Sequence, residues 1–132
     1  MSMHAVREFV SRNGFDALAS ALEDRVQAGH VRAALDPVVV AGSRRVLYCY
    51  TQSAVVDRAW DGVVDMARGL ILDLAARTVV ATPFAKFFNH GEVTSALPSE
   101  AFEVFDKLDG SLGVIWHDGV RWRVSTKGSF TS

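Results

Sequence analysis

The sequence lacks several features that identify common classes of protein. Only Cys49 is a cysteine, so no internal disulfide can form, and a reducing environment is expected. The longest stretch without Lys, Arg, Asp or Glu runs from Val46 to Val56, far short of the roughly 20 apolar residues that a membrane span needs. The N-terminus shows no apolar signal core. These absences predict a cytoplasmic protein with no membrane partner.

Strong charge and the familiar phosphate-binding motifs are also missing. A net charge of −1 gives no global basic field, so any contact with nucleic acid must come from a local cluster. The sequence contains neither a G-x-x-x-x-G-K-[ST] loop nor a G-x-G-x-x-G loop, which excludes the usual strand–helix phosphate sites. No Cys/His set has metal-ligand spacing, and His90 and His117 fit no Ser-His-Asp order. We therefore predict no metal site built from these residues and no hydrolase triad.

Hydrophobic periodicity predicts an α+β domain. Apolar residues recur at three- and four-residue steps from Phe15 to Val26, which indicates an amphipathic helix ending near Gly29, and residues 4–12 show a shorter helical pattern. The chain is long enough for one domain with a core. We expect a single domain over residues 1–132, in which a helical lead-in at 1–30 packs on a mainly antiparallel sheet from residues 38–132.

Three hairpins are predicted in the strand-rich part. Cys49, in the apolar run of the first hairpin, is expected to be a core thiol. The paired segments are Val38–Val40 with Val46–Tyr50, Leu70–Leu74 with Thr78–Thr82, and Gly113–Asp118 with Val120–Thr126.

The stretch from Phe105 to Leu112 carries the most reactive pattern. Lys107 precedes Asp109 and Gly110 between apolar residues, which predicts a strand, a tight turn at Asp109-Gly110 and a second strand. A protonated lysine, with a reference pKa of about 10.4, is a poor nucleophile. Desolvation or a neighbouring cation favours the neutral amine, which can attack an electrophile. Because K-x-D-G is short, the alternative is a surface lysine before a hairpin turn.

Cations recur at the ends of predicted strands. In a sheet of adjacent hairpins they would line one cleft suited to a polyphosphate, with Phe87 or Phe88 against a purine. The alternatives are solvated cations and core phenylalanines. The four cations are Arg68, Lys86, Lys107 and Lys127.

Four segments, in this order and spacing, resemble the phage T4 RNA ligase 1 family. K-x-D-G is shared by all covalent nucleotidyltransferases, DNA ligases and mRNA capping enzymes included, whereas the K-F-F-N and S-x-K-G-S segments point to RNA ligase 1. The resemblance covers roughly residues 45–132 and implies a partial nucleotidyltransferase domain of ATP-grasp-like fold. The segments are Arg68–Asp73, Pro83–Asn89, Lys107–Leu112 and Ser125–Ser129.

The resemblance implies an ATP-dependent RNA ligase or its N-terminal nucleotide-binding part, using ATP and Mg²⁺. Lys107 would attack the α-phosphate of ATP and form a lysyl–AMP. The AMP would pass to the 5′-phosphate of an RNA, and a 3′-hydroxyl end would displace it. The resemblance assigns nucleotide binding to Arg68, Lys86, Phe88, Asp109, Gly110 and Lys127.

The resemblance also implies later motifs that these 132 residues do not contain: a glutamate that contacts the nucleoside, a glutamate at the metal and a strand with two lysines. We therefore expect the N-terminal part of an adenylyltransferase domain, which cannot seal RNA alone and self-associates through an unpaired strand edge. One alternative is a DNA ligase or capping-type transferase, which differs in substrate. Another is a non-catalytic nucleotide-binding module, which would bind nucleotide without covalent labelling.

Overall fold

The computed structural model describes residues 2–89, 92 and 99–131. None of the helices in these ranges is both long enough and apolar enough to cross a membrane. His90 and the chain from there to Pro98, apart from residue 92, lie outside the described residues. In chain order the elements are α1 Ser2–Asn13, α2 Phe15–Gln27, β1 Val31–Leu35, β2 Arg45–Tyr50, α3 Gln52–Val56, α4 Gly62–Met66, β3 Arg68–Asp73, β4 Thr78–Ala81, β5 Gly113–His117 and β6 Trp122–Thr126.

Strands β1 to β4 form an antiparallel main sheet in sequence order, and β5 and β6 form a separate antiparallel hairpin. Because neighbouring residues of a strand point to opposite faces, the main sheet buries two sets of side chains. One set packs with Leu18 and Leu22 of α2, and we call this side the helix face. The α+β class and the mainly antiparallel sheet are confirmed.

The other side of the main sheet, which we call the hairpin face, packs against the β5–β6 hairpin. Its second core contains Cys49, so the predicted core thiol is confirmed, and burial raises the pKa of that thiol. From the hairpin and the chain after it come Val114, Trp116 and Phe130. The second core therefore places the chain that follows β6 against the main sheet.

A buried ion cluster also joins the hairpin to the main sheet. Arg123 of β6 donates two hydrogen bonds to the Asp36 carboxylate, at 2.6 and 2.8 Å, and Arg45 of β2 lies 3.6 Å from it. The Asp36 side chain is only 3% exposed. The Trp116 ring lies near both guanidinium groups, 4.6 Å from that of Arg123 and 5.6 Å from that of Arg45. Both guanidinium groups thus share one buried counter-ion.

The first predicted hairpin is wrong in its first strand. Val38–Val40 has no regular structure, and the partner of β2 is Val31–Leu35, which the sequence pattern did not indicate. The Asp36 carboxylate accepts a hydrogen bond from the Val38 N–H at 3.0 Å, which turns the chain after β1. The two other hairpins and both N-terminal helices are confirmed.

The predicted strand before Asp109 is also wrong. The described residues from 99 to 112 contain neither helix nor strand, and β5 begins at Gly113. Phe102, Phe105 and Leu108 are 84%, 79% and 87% exposed. An extended segment gains a hydrogen-bond ladder only from a neighbouring strand, and none of the described strands pairs with this one.

Candidate functional site

One end of the main sheet brings together residues that are distant in sequence. At this end β2 finishes with Tyr50, whose N–H donates to the Ala67 carbonyl at 2.6 Å, and β3 starts with Arg68. Segment 82–89, which follows β4, returns to the same place, as does the turn after β6. We call this region the sheet end.

Lys86 lies over aromatic rings at the sheet end. Its backbone N–H donates to the Asp65 carbonyl of α4 at 3.0 Å, which fixes the segment that carries it. Its ammonium nitrogen lies 5.0 Å from the centre of the Trp60 ring and 4.8 Å from that of Phe88, and donates to the Phe87 carbonyl at 3.1 Å. Aromatic faces attract cations, so these rings help to hold Lys86 in place.

Two further cations lie over aromatic rings at the sheet end. Trp60 packs edge-to-face on Phe88 and on Tyr50, at 5.6 and 5.1 Å between ring centres. The Lys127 ammonium lies 5.8 Å from the Tyr50 ring. The Arg68 guanidinium lies over the 65% exposed Phe87 ring, 5.5 Å from its centre. Cations from three separate segments therefore each lie over an aromatic ring at the sheet end.

Gly69 allows the turn after β6 to approach β3. The register between β2 and β3 shifts by one residue here, and Gly69 has a φ of +96°. A β-carbon at Gly69 would lie 2.9 Å from the Cα of Lys127, so the turn would have to move away. Gly69 therefore lets the Lys127 backbone come close to β3, next to the Arg68 cation.

Positive charge is concentrated on the hairpin face of the sheet end. Burial raises the pKa of the Cys49 thiol, and the charges of Lys127, Arg32 and Arg68 offset part of that rise. We call these three residues the cation group. Although the whole chain is nearly neutral, this end of the sheet carries a local cationic cluster.

Asp65 faces the same cluster with an unusual protonation equilibrium. Burial, with the negative charge of Asp61, raises the pKa of Asp65 to about 6, and the Lys86 charge opposes the rise. Its Oδ1 is buried and has no hydrogen-bond partner in the described part of the chain. At neutral pH the protein therefore holds a poorly solvated carboxylate beside Lys86.

Asp65→Asn is expected to stabilise the protein above pH 6 and to have little effect near pH 4. Because the native pKa of Asp65 lies above its ordinary value of 3.8, the native state binds more protons between these values, and wild-type stability falls as the pH rises through this window. Asparagine does not titrate, so the variant does not lose stability as the pH rises from 3.8 to about 6. Its advantage over the wild type should therefore appear only above pH 6. Melting temperatures from pH 4 to pH 8 measure this, with the exposed Asp24→Asn as control. An equal difference in melting temperature between Asp65→Asn and the wild type at pH 4 and at pH 8 would contradict the raised pKa of Asp65.

The predicted site residues fall into two groups. Lys107, Asp109 and Gly110 lie in the exposed segment 99–112, and no hydrogen bond or salt bridge within the described ranges joins Lys107 or Asp109 to the sheet end. The single cleft that the sequence predicts is therefore present only in part. The residues that meet at the sheet end are Arg68, Lys86, Phe88 and Lys127.

Sequence reasoning missed several residues of the sheet end, because no motif includes them and only the fold brings them there. They are Arg32, Tyr50, Trp60 and Asp65. For a divalent cation the described residues are a poor fit, since no group of three or more His, Cys, Asp or Glu among them is placed to hold a metal. None of them is therefore assigned to Mg²⁺.

The chain is similar to known RNA ligases. Residues 66–132, half of the chain, match the sequence model of an RNA ligase family, that of T4 RNA ligase 1. A protein of Autographa californica nuclear polyhedrosis virus, described as a bifunctional polynucleotide kinase/RNA ligase, is 35% identical over 78 residues. The match covers 51% of this chain and 11% of the viral protein, so the chain spans about a tenth of that relative. The match over residues 66–132 shows that the chain belongs to the T4 RNA ligase 1 family of RNA ligases.

Proposed function

We propose that the protein is the nucleotide-binding part of an ATP-dependent RNA ligase, which forms a lysyl–AMP and joins 5′-phosphate and 3′-hydroxyl ends of RNA. The observation that carries the proposal is the convergence of four residues in a chain of an RNA ligase family. They come from three separate segments and supply three cations and one aromatic ring: Arg68, Lys86, Lys127 and Phe88.

The sheet end suits a nucleotide in both charge and shape. Arg68 and Lys86 would bind phosphate oxygens, because oriented cations in a partly desolvated site stabilise the charge of a transferring phosphoryl group. Lys127 would add a third cation. The half-buried Phe88 ring, supported by Trp60, would pack against the base.

Lys107 is proposed as the nucleophile. After losing a proton, its amine attacks the α-phosphorus, a P–N bond forms, and pyrophosphate leaves with the electrons of the broken P–O bond. An oxygen of the RNA 5′-phosphate next attacks the adenylyl phosphorus and releases the Lys107 amine. Finally the 3′-hydroxyl loses its proton, attacks the activated 5′-phosphorus and displaces AMP. Because Lys107 is exposed and no described hydrogen bond or salt bridge joins it to the sheet end, the proposal requires segment 99–112 to close over the bound nucleotide.

Arg68→Ala and Lys86→Ala are each expected to slow covalent labelling of the protein roughly 10²–10³-fold, the usual cost of losing one group that stabilises charge in the transition state. The measurement is the rate of transfer from ATP labelled on the α-phosphate, with circular dichroism and melting as checks on the fold. The control is Arg121→Ala, which removes an exposed cation beyond the site. Unchanged labelling in a folded variant would show that the residue is only a solvated cation.

Joining of RNA ends tests the proposal directly. The full-length protein, ATP and a 5′-phosphorylated RNA should give joined or circular product, whereas nicked DNA and RNA with a 5′-diphosphate end should not react. Reaction with either of the latter would favour a DNA ligase or a capping-type transferase. ATP binding without covalent labelling would contradict the proposal and support a non-catalytic nucleotide-binding module.

A further inference from the structure

Arg32 faces the sheet end, although it lies in no motif. Arg32 pairs with Cys49 across β1 and β2, and Cys49 pairs with Arg68 across β2 and β3. Residues that pair across strands point to the same face, so the three form one row on the hairpin face. With neighbouring strands about 4.8 Å apart, the two arginine backbones lie roughly 10 Å apart. Two long side chains at this separation can reach a single extended anion.

Arg32 also contacts the turn that carries Lys127. Its Nη2 donates to the Gly128 carbonyl at 2.8 Å, which is the one hydrogen bond found for this guanidinium within residues 2–89, 92 and 99–131. A guanidinium has five N–H donors in a fixed fork, so most remain available to a ligand. The turn therefore orients Arg32 without using up its capacity to donate.

No carboxylate in the described ranges lies within salt-bridge distance of the cation group. By contrast, Arg45, Arg77 and Arg123 each have an aspartate partner. Three like charges that act on one buried thiol repel one another, and an anion bound between them would relieve that repulsion. Because Arg32 and Arg68 lie roughly 10 Å apart in one row, a polyphosphate matches the group better than a single carboxylate does.

We propose that Arg32 is a phosphate-binding residue of this site, which contacts the polyphosphate of the nucleotide directly, together with Arg68 and Lys127. The inference rests on the proposed function and adds to it a cation from β1. It differs from a purely positioning role, in which Arg32 would act only by holding the Lys127 turn.

The affinity of the full-length protein for inorganic tripolyphosphate, measured by calorimetry, tests the contact. Arg32→Gln is expected to weaken binding about tenfold at low ionic strength, and less at high salt, where exposed charges are screened. Arg121→Gln is the matched control, since it removes the same charge from a 68% exposed arginine between β5 and β6, and should leave the affinity within about twofold. Affinity for adenosine, which has no phosphate, should be the same in all three proteins.

Measuring Arg32→Gln in a Lys127→Gln protein distinguishes direct contact of Arg32 with the phosphates from an effect on the position of Lys127. If Arg32 contacts the phosphates itself, Arg32→Gln weakens binding by a similar factor in the wild type and in Lys127→Gln. A loss that disappears in Lys127→Gln would overturn the inference, since Arg32 would then act only through the turn. Unchanged affinity in Arg32→Gln would overturn it and leave the proposed function intact. A wild type that does not bind tripolyphosphate would also overturn the inference, whereas the proposed function is contradicted only by the absence of covalent labelling by ATP.

Discussion

Lys107→Arg is expected to abolish covalent labelling of the protein by ATP that carries its label on the α-phosphate. Arginine keeps the positive charge, but its guanidinium is not deprotonated in proteins, so no lone pair can attack phosphorus. Lys107→Ala should have the same result. The loss should exceed the roughly 10²–10³-fold effect of Arg68→Ala, because that variant keeps its nucleophile.

Structural damage is readily distinguished from this loss. Lys107 is exposed in segment 99–112, so both variants should keep the free energy of unfolding of the wild type within about 0.5 kcal/mol. Labelling of Lys107→Arg at the wild-type rate would show that another residue is the nucleophile.

Asp36→Asn is expected to lower the free energy of unfolding by about 3–5 kcal/mol, because it leaves two buried guanidinium groups without their counter-ion. The side chains of Arg45 and Arg123 are only 8% and 9% exposed. A loss of this size is a large part of the roughly 5–15 kcal/mol that stabilises a small domain. We therefore expect the β5–β6 hairpin to separate from the main sheet. Urea unfolding followed by tryptophan fluorescence measures the change.

Asp16→Asn is the matched control for this prediction. Asp16 pairs with Arg77 at 2.6 Å, but the two side chains are 73% and 63% exposed, so the loss should be about 1 kcal/mol or less. Equal losses in the two variants would contradict the role given to the buried cluster.

The contribution of Asp36 should also depend on pH. Burial by itself raises the pKa of Asp36, but hydrogen bonds from Arg123 and the Val38 N–H, with the arginine charges, outweigh it and hold the pKa below its ordinary value. The stabilisation is therefore present above the pKa of the unfolded chain and is lost as the pH falls through the lower native value. Wild type and Asp36→Asn should converge in stability only in strong acid.

Local patterns were enough to predict the elements that depend on local contacts. Periodicity from Phe15 to Val26 predicts α2, and the turn at Asp118-Gly119 predicts the β5–β6 hairpin. Strand β1 was missed because its position depends on a tertiary feature: the buried Asp36 carboxylate turns the chain just after Leu35. The strand predicted before Asp109 is wrong for a related reason. The apolar residues around Lys107 indicate a strand, but no described strand pairs with this segment.

The sequence predicts the site residues that lie in short motifs. The motifs of three separate segments predict Arg68, Lys86, Phe88 and Lys127, and the fold brings these residues to one end of the sheet. The motifs do not predict Arg32 and Trp60. These residues reach the sheet end only through the strand register and through the path of the chain before α4. Neither is visible as a pattern in the sequence.

The most direct test of the account is to map the AMP adduct on the wild-type protein after reaction with ATP. Residues 1–132 contain three lysines, Lys86, Lys107 and Lys127, and all three are predicted site residues. They lie in different peptides, so mass spectrometry can distinguish them from one another and from any other lysine of the protein. AMP is expected on Lys107 alone, joined by a P–N bond that acid breaks. An adduct on Lys86 or Lys127, or joining of RNA without any lysyl adduct, would contradict it.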